Sequence, residues 1–304
     1  MDIAAYTPSA PSSWVDLDGP VHYVNHGGPA DAPLLVCVHG LGGSHANWAA
    51  IAPLLTDRYR VLALDLAGFG LTGGGPRSAT VTGNRLLLHR FLAAVANGPA
   101  VLIGNSMGGL ITTLQAAEEP QTVSAAVLID PALPPALSAP DPLVISTFAA
   151  FGLPGPARRA VYGRRPPLTA AQAALRLLRL VCAEPSRIPR EVIDQHIALA
   201  RQRGLGPSTD ADMLLAARSL AWILARRRRY AALLHGLKMP VMLIHGDRDR
   251  LIPIRAARQA AAANPAWRFE VATGVGHVPM LEAPVWTAGR LLDWLPTALA
   301  RTSP

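Results

Sequence analysis

Short, continuously apolar segments alternate with longer segments of helical periodicity in the first part of the chain. The apolar segments predict strands at 34–40, 60–66, 100–106 and 124–130. The periodic segments predict helices near 45–55, 80–96 and 107–118. Continuous apolarity is typical of strands that are buried on both faces, so the pattern predicts a parallel sheet with crossover helices. The earlier alternation in residues 14–27 predicts an antiparallel hairpin at one edge of that sheet.

The pattern changes after residue 130 and returns near residue 239. Segment 131–238 opens with a proline-rich stretch and continues with helical periodicity only, including a capping-box pattern at Thr169 and Gln172. Strands and helices then alternate again, at 240–246, 254–263, 268–274 and 281–295. The predicted fold class is α/β, a mostly parallel central sheet with flanking helices. Residues 1–130 and 239–304 form its core, and residues 131–238 form an inserted all-helical cap.

The composition of the 304-residue chain is that of a globular protein, because half of the residues are hydrophobic. No apolar run reaches the roughly 18 to 20 residues of a membrane helix, and the first residues lack the basic and apolar regions of a signal peptide. Cys37 and Cys182 have no metal-ligand spacing and are expected to be buried thiols. These features favour a cytoplasmic protein.

The net charge of +8 is concentrated in segment 131–238, which holds 16 basic and 6 acidic side chains. Arg226, Arg227, Arg228 and Arg229 form a run that we interpret as a solvated helix end, favoured there by the helix dipole. Contact of this run with an anionic membrane surface or an acidic substrate is the less favoured alternative. Nucleic-acid binding is not expected, since no aromatic residues interleave with the arginines. The sequence makes no prediction of oligomeric state.

The segment from Gly104 to Gly108 reads G-x-S-x-G at the point where a predicted strand turns directly into a predicted helix. Such a turn is tight, and glycines on either side of Ser106 relieve the crowding. The serine hydroxyl is then exposed at the carboxyl edge of the sheet, beside a helix amino terminus that favours developing negative charge. Ser106 is therefore the candidate nucleophile.

A serine nucleophile requires a histidine base that is oriented by a carboxylate. Asp249 and His277 follow the last two predicted strands, so they are expected at the same sheet edge as Ser106. The tetrahedral intermediate also needs N–H donors, and the main-chain amides of Leu41 and Met107 are the candidates. His39 precedes the Leu41 loop and is interpreted as a structural brace.

These motifs together resemble the α/β-hydrolase fold family. The resemblance rests on the HG-x-G loop at His39, D-x-x-G-x-G at Asp65, the nucleophile elbow, the G-x-x-D loop that ends at Asp249, and G-x-G-H-x-P-x-x-E-x-P from Gly274. It implies a triad of Ser106, His277 and Asp249 beneath a helical cap. Asp130, which also ends a strand, is the alternative acid because some members of the family draw the carboxylate from that position. Thr72 departs from the usual serine of the D-x-x-G-x-G-x-S turn, and a serine at 106 disfavours the dehalogenase and epoxide-hydrolase branches.

The sequence thus predicts a serine hydrolase that cleaves a small-molecule carboxylic ester, or a related acyl compound, with an apolar portion. No metal or organic cofactor is implied. Two alternatives stay open: a carbon–carbon bond hydrolase of ring-cleavage products, and a non-catalytic ligand-binding protein or receptor of the same fold. The strongly apolar helix 212–224 is expected to pack on the core or to line an acyl slot, with Trp222 as a candidate lining residue.

Overall fold

The computed structural model describes residues 10–74, 77–134, 168–204 and 206–301. An eight-stranded sheet crosses the centre of the described part, in the order β1-β2-β4-β3-β5-β6-β7-β8. Its strands are β1 (Ser12–Asp16), β2 (Pro20–Gly27), β3 (Leu34–Val38), β4 (Arg60–Leu64), β5 (Ala100–Asn105), β6 (Val123–Ile129), β7 (Val241–Gly246) and β8 (Arg268–Ala272). β1 pairs antiparallel with β2, and β2 pairs antiparallel with β4, whereas all other neighbouring strands pair in parallel. The predicted fold class is confirmed.

The helices of the described part flank this sheet or lie between β6 and β7. They are α1 (Val81–Val95), α2 (Met107–Glu118), α3 (Ala170–Val181), α4 (Arg190–Arg203), α5 (Pro207–Ala225), α6 (Arg227–His235), α7 (Ile254–Ala263), α8 (Pro279–Glu282) and α9 (Pro284–Ala300). The predicted final helix is in fact two, α8 and α9, because Ala283 precedes Pro284 and a residue before proline is disfavoured in helical geometry.

The helix predicted near 45–55 is wrong, because this segment forms two short 3₁₀ turns, His45–Trp48 and Ala52–Leu54. The Asp65 carboxylate accepts the main-chain N–H of His45, which ties the first turn to the sheet. Pro53 has no N–H to continue a hydrogen-bonded ladder across the second turn.

Both faces of the sheet are buried, which explains the continuous apolarity of its strands. Side chains of a strand point alternately to opposite faces. In β5, Leu102 packs into the apolar cluster on one face, whereas Val101 and Ile103 pack into the cluster on the other. A strand with polar residues at every second position would leave one of these clusters incomplete.

The described residues between β6 and β7 are helical, as predicted, and residues 135–167 of the predicted cap lie outside the described part. The capping box at α3 forms: the N–H of Gln172 donates to Thr169 Oγ1, and the N–H of Thr169 donates to Gln172 Oε1. The domain boundaries at 130 and 239 stay a prediction.

The arginine run differs from its predicted setting. One helix ends at Ala225 and the next begins at Arg227, with Arg226 between them, so Arg227 to Arg229 form the first turn of α6. The dipole at a helix amino terminus disfavours cations, so it does not explain the run. All four arginines are exposed, and hydration compensates for this placement.

The parallel register brings the carboxyl ends of six strands, β3 to β8, to one edge of the sheet. Val38 pairs with Gly104, and Asn105 pairs with Ile129. Ile129 in turn pairs with Ile244, and Gly246 pairs with Ala272. Each loop with candidate chemistry leaves the sheet at this edge. No helix of the described part is long and apolar enough to cross a membrane, and both cysteines are buried and free.

Candidate active site

Ser106 occupies the tight turn between β5 and α2. Its backbone has φ 55° and ψ −118°, a left-handed conformation that is strained for a residue with a Cβ. The neighbouring backbone approaches so closely that a Cβ on Gly104 would lie 2.4 Å from the Gly108 carbonyl oxygen. A Cβ on Gly108 would lie 2.1 Å from the carbonyl oxygen of Val38. The G-x-S-x-G spacing is therefore what this turn requires.

His277 and Asp249 form a buried hydrogen-bonded pair. The Nδ1–H of His277 donates to Asp249 Oδ2 over 2.7 Å. The other carboxylate oxygen of Asp249 accepts the main-chain N–H groups of Leu251 and Ile252, at 2.7 Å and 3.1 Å. Burial alone would raise the pKa of Asp249, but the charge and hydrogen bond of His277 lower it below its ordinary value. Asp249 is therefore an anion that orients the imidazole.

Asn105 connects the serine turn to the histidine loop. Its side-chain amide donates to the main-chain carbonyls of Ile129 and His277, at 3.1 Å and 3.0 Å. The main-chain N–H of His277 donates to Val181. The hydrogen bonds of His277 do not include one to the Ser106 hydroxyl. In enzymes, the hydrogen bond between a catalytic base and its nucleophile often becomes short only when a substrate is bound.

Asp130 lies in the same cluster but does not hydrogen-bond to His277. It is fully buried after β6, and its Oδ1 accepts the main-chain N–H of Gly246 over 2.9 Å. His245, which sequence reasoning did not single out, lies between the two acids: its Nε2 is 3.5 Å from a carboxylate oxygen of Asp130 and of Asp249. No sequence motif marks His245, and its position within β7 was the only available signal.

The main-chain N–H groups of Leu41 and Met107, near Ser106, have no acceptor among the described residues. A Cβ on Gly40 would lie 2.9 Å from the Ser106 Cβ, so the loop after β3 lies directly against the nucleophile turn. His39 braces this loop, as expected: its Nε2 accepts the N–H of Leu66, and its Nδ1–H donates to Gly40. Burial lowers the pKa of His39 to about 4, so the ring is neutral.

Glu282 links the histidine loop to the residues that follow α3. One carboxylate oxygen accepts the N–H groups of Gly276 and Ala183, at 2.9 Å and 3.1 Å. The other accepts the N–H of Glu184 at 2.8 Å. The family motif includes Glu282, but it does not indicate that Glu282 binds the main-chain N–H groups of Ala183 and Glu184, about 100 residues earlier in the chain.

Side chains of α3 and α5 reach the loop after β3. A Cβ on Gly42 would lie 2.8 Å from Met213 Cε and 3.7 Å from Leu177 Cδ2. Trp222, by contrast, is 64% exposed, and the Arg226 guanidinium stacks over its ring at 3.5 Å. The hypothesis that Trp222 lines a slot is therefore wrong, because the side chain lies on the outer face of α5.

Two buried clusters combine histidine with aspartate, the donor set of some metal sites: His22, His45 and Asp65, and Asp130, His245 and Asp249. In the first, Nδ1–H groups of His22 and His45 both donate to Asp65 Oδ2, at 2.7 Å and 2.8 Å. The N–H of Leu71 donates to the same oxygen. These hydrogen bonds use the atoms that would bind a metal ion. The first cluster is therefore better explained as a structural link between β2 and the turn after β4.

Comparison with known proteins identifies the family of this chain. Residues 33–284 match a family profile described as alpha/beta hydrolase fold. The chain is 28% identical over 265 residues to Lipase 1 of Psychrobacter immobilis, which covers 86% of this chain and 76% of that protein. It is 28% identical over 262 residues to the pimeloyl-[acyl-carrier protein] methyl ester esterase of Edwardsiella ictaluri, covering 82% and 88%. The structure of a lipase candidate from Acinetobacter baumannii AYE superposes on this chain with a TM-score of 0.77 and 22% sequence identity. The superposition covers 96% of this chain and 92% of that chain, so the two proteins have the same fold.

Proposed function

The chain belongs to the α/β-hydrolase fold family and is a hydrolase, and we propose that it cleaves carboxylic esters, or related acyl compounds, through an acyl-enzyme on Ser106. The observation that carries the proposal is the convergence at one sheet edge of a strained serine turn with the buried His277–Asp249 pair. A serine that only capped a helix would need neither.

The first half of the proposed reaction forms the acyl-enzyme. Because His277 donates its Nδ1–H to Asp249, the neutral ring has its lone pair at Nε2. Nε2 takes the proton of the Ser106 hydroxyl as the oxygen attacks the substrate carbonyl carbon. The imidazolium then gives this proton to the leaving alcohol as the carbon–oxygen ester bond breaks.

The second half returns the free enzyme. His277 takes a proton from water, the water oxygen attacks the acyl carbon, and the acid departs as the proton returns to Ser106. In both halves the N–H groups of Leu41 and Met107 donate to the carbonyl oxygen as it becomes negative. Their lack of another acceptor among the described residues supports this role.

The proposed substrate has an apolar acyl portion. Met213 and Leu177 lie against the loop that includes Leu41, so apolar side chains border the position of the scissile carbonyl. The two curated relatives described above are a lipase and a methyl ester esterase, and both names denote ester cleavage.

A fluorophosphonate probe tests the nucleophile. We expect it to label the native protein once, at Ser106, because a base-activated hydroxyl beside N–H donors captures such reagents. Ser106→Ala should abolish both labelling and turnover of p-nitrophenyl esters while the circular dichroism spectrum is unchanged. Ser186→Ala, at an exposed serine of the helical segment, is the matched control and should be labelled and active like the wild type.

Equal labelling of the wild type and Ser106→Ala would contradict the nucleophile assignment. A wild type that binds acyl compounds without labelling or turnover would instead favour the ligand-binding alternative.

A further inference from the structure

Asp130 is a buried acid that the proposed reaction does not use. It follows β6 directly, has no exposed surface and has a positive φ of 42°. Its main-chain N–H donates to Ile244 over 2.9 Å, which holds the residue at the sheet edge. A strained, fully buried carboxyl group at a strand end has an energetic cost, and such positions cluster at functional sites.

The carboxyl groups of Asp130 and Asp249 have oxygen atoms within 4.8 Å of each other but differ in their hydrogen-bond donors. Asp249 accepts three hydrogen bonds of ordinary length, from His277, Leu251 and Ile252. Asp130 accepts one, from the main-chain N–H of Gly246, and its Oδ2 has no donor among the described groups. Hydrogen bonds to a carboxylate favour its charged form, so the anion belongs on Asp249.

His245, which lies 3.5 Å from both acids, supplies no compensating cation. His245 donates its Nε2–H to the Ile252 carbonyl, and its Nδ1 is buried without a partner, so the ring is neutral. Burial lowers the pKa of His245 further. Glu282 adds a second negative charge nearby. Burial, followed by the charge of Asp249, raises the pKa of Asp130 well above its ordinary value.

We propose that Asp130 is protonated and donates a hydrogen bond to the Asp249 carboxylate, as a positioning residue for the Asp249–His277 pair. Two buried carboxyl groups this close cannot both ionise at low cost, and one shared proton removes the repulsion. When His277 becomes an imidazolium, one buried anion then balances one buried cation. The inference rests on the catalytic roles proposed for Asp249 and His277.

Two substitutions distinguish the hydrogen bond that Asp130 donates from the charge that its carboxyl group could have. Asp130→Asn keeps a donor toward Asp249 without a titratable group, and Asp130→Leu removes the donor at similar volume. We expect Asp130→Asn to keep kcat within about threefold of the wild type, with the acidic limb of kcat/KM at the same pH. Asp130→Leu should lower kcat by about 10- to 100-fold with little change in KM, since a buried acceptor loses a donor.

The opposite pattern would overturn the proposal. If Asp130 were ionised in the wild type, Asp130→Asn would remove an anion near the imidazole and move the acidic limb of kcat/KM to lower pH. If Asp130→Leu were as active as the wild type, Asp130 would not position the pair.

A thermal measurement tests the proton without catalysis. A carboxyl group whose pKa is raised on folding stabilises the protein below its unfolded pKa of about 4, and this stability is lost as the pH rises toward the folded value. The difference in Tm between Asp130→Asn, which has no such group, and the wild type should therefore change in favour of the variant by about 2 °C per pH unit as the pH rises above about 4. A Tm difference that does not change with pH would overturn the proposal.

The two readouts distinguish failure of this inference from failure of the proposed function. If Ser106→Ala retained turnover, the triad would be wrong, yet the pH dependence of Tm would still decide whether Asp130 is protonated. If Asp130→Leu did not fold, Asp130→Asn would supply both the pH profile and the thermal test.

Discussion

Ser106 and Asp130 share an uncommon backbone property. Each is a non-glycine residue with a positive φ, 55° and 42°, directly after one of two neighbouring strands. Such a conformation costs on the order of 1–3 kcal/mol and persists only where the surrounding structure enforces it. Here close backbone contacts around Gly104 and Gly108 enforce it at Ser106, and the strain places the side chain at the sheet edge.

The role of Asp249 is tested at the same scale. In Asp249→Asn the amide oxygen would keep the N–H donors of Leu251 and Ile252, so the NH₂ group would face His277. The ring would then turn its unprotonated Nδ1 to that group and have its proton on Nε2, where it cannot accept the proton of Ser106. We expect kcat to fall about 10⁴-fold.

Steady-state ester hydrolysis measures this loss. The exposed Asp57, changed to Asn, is the control and should leave kcat unchanged. A mild effect of Asp249→Asn together with a severe effect of Asp130→Asn would reverse the assignment of the acid.

Sequence reasoning identified the residues whose positions follow from strand ends, and missed those whose roles depend on distant partners. Ser106, Asp249 and His277 each follow a continuous apolar segment, and parallel register brings such positions together. Glu282 accepts hydrogen bonds from groups far away in the chain, and His245 lies beside Asp130 at the end of another strand, which no local pattern encodes. The difference is physical: register is set by periodicity, whereas a carboxylate can accept N–H groups from any segment that folds against it.

At the scale of elements, helical periodicity located most of the helices but did not predict where a helix is interrupted. The arginine run, interpreted as the end of a helix, instead begins a second helix after a break at Arg226, and the predicted last helix is divided before Pro284. In the second case a proline forces the break, and the sequence contained that signal. At Arg226, nothing in the local pattern distinguishes a break from a continuing helix.

The placement of α5 gives a prediction about acyl-chain preference. Met213 contacts the loop beside the nucleophile, so Met213→Ala should enlarge the apolar space there and favour longer acyl chains. We expect the ratio of kcat/KM for an octanoate over a butyrate p-nitrophenyl ester to rise roughly 10-fold. Trp222→Ala, on the exposed face of the same helix, is the matched control and should leave the ratio within about twofold.

A shift with Trp222→Ala and none with Met213→Ala would contradict this assignment of the two faces of α5. The measurement needs only a short series of chain lengths at one pH.

At the scale of the whole molecule, the positive charge and the proposed chemistry are separated. The arginine run is exposed, while the side chains of α3 and α5 that reach the Leu41 loop, Leu177 and Met213, are apolar. Contact of this run with a membrane stays an unfavoured alternative, and the cytoplasmic location stays a prediction. A carbon–carbon bond hydrolase would need a cationic or polar group in the pocket to hold the carboxylate of a dienone acid. We therefore expect turnover of p-nitrophenyl esters to exceed that of ring-fission dienone acids by at least about 100-fold.

Parallel assays of the two substrate classes at equal enzyme concentration check this expectation. Faster cleavage of the dienone would overturn the ester proposal and direct attention to Arg203, a partly buried arginine that stacks on Phe69.

The partners of Glu282 determine where this chain could be recombined with a relative. Its carboxylate binds the histidine loop through Gly276 and the end of α3 through Ala183 and Glu184. A graft that replaced 131–238 as one block would leave this buried carboxylate with a single N–H donor, unless the incoming segment supplied equivalent amides. A crossover placed after residue 188 would keep all three donors. We therefore expect a functional chimaera to require a crossover inside the helical segment, after residue 188, rather than at residue 130.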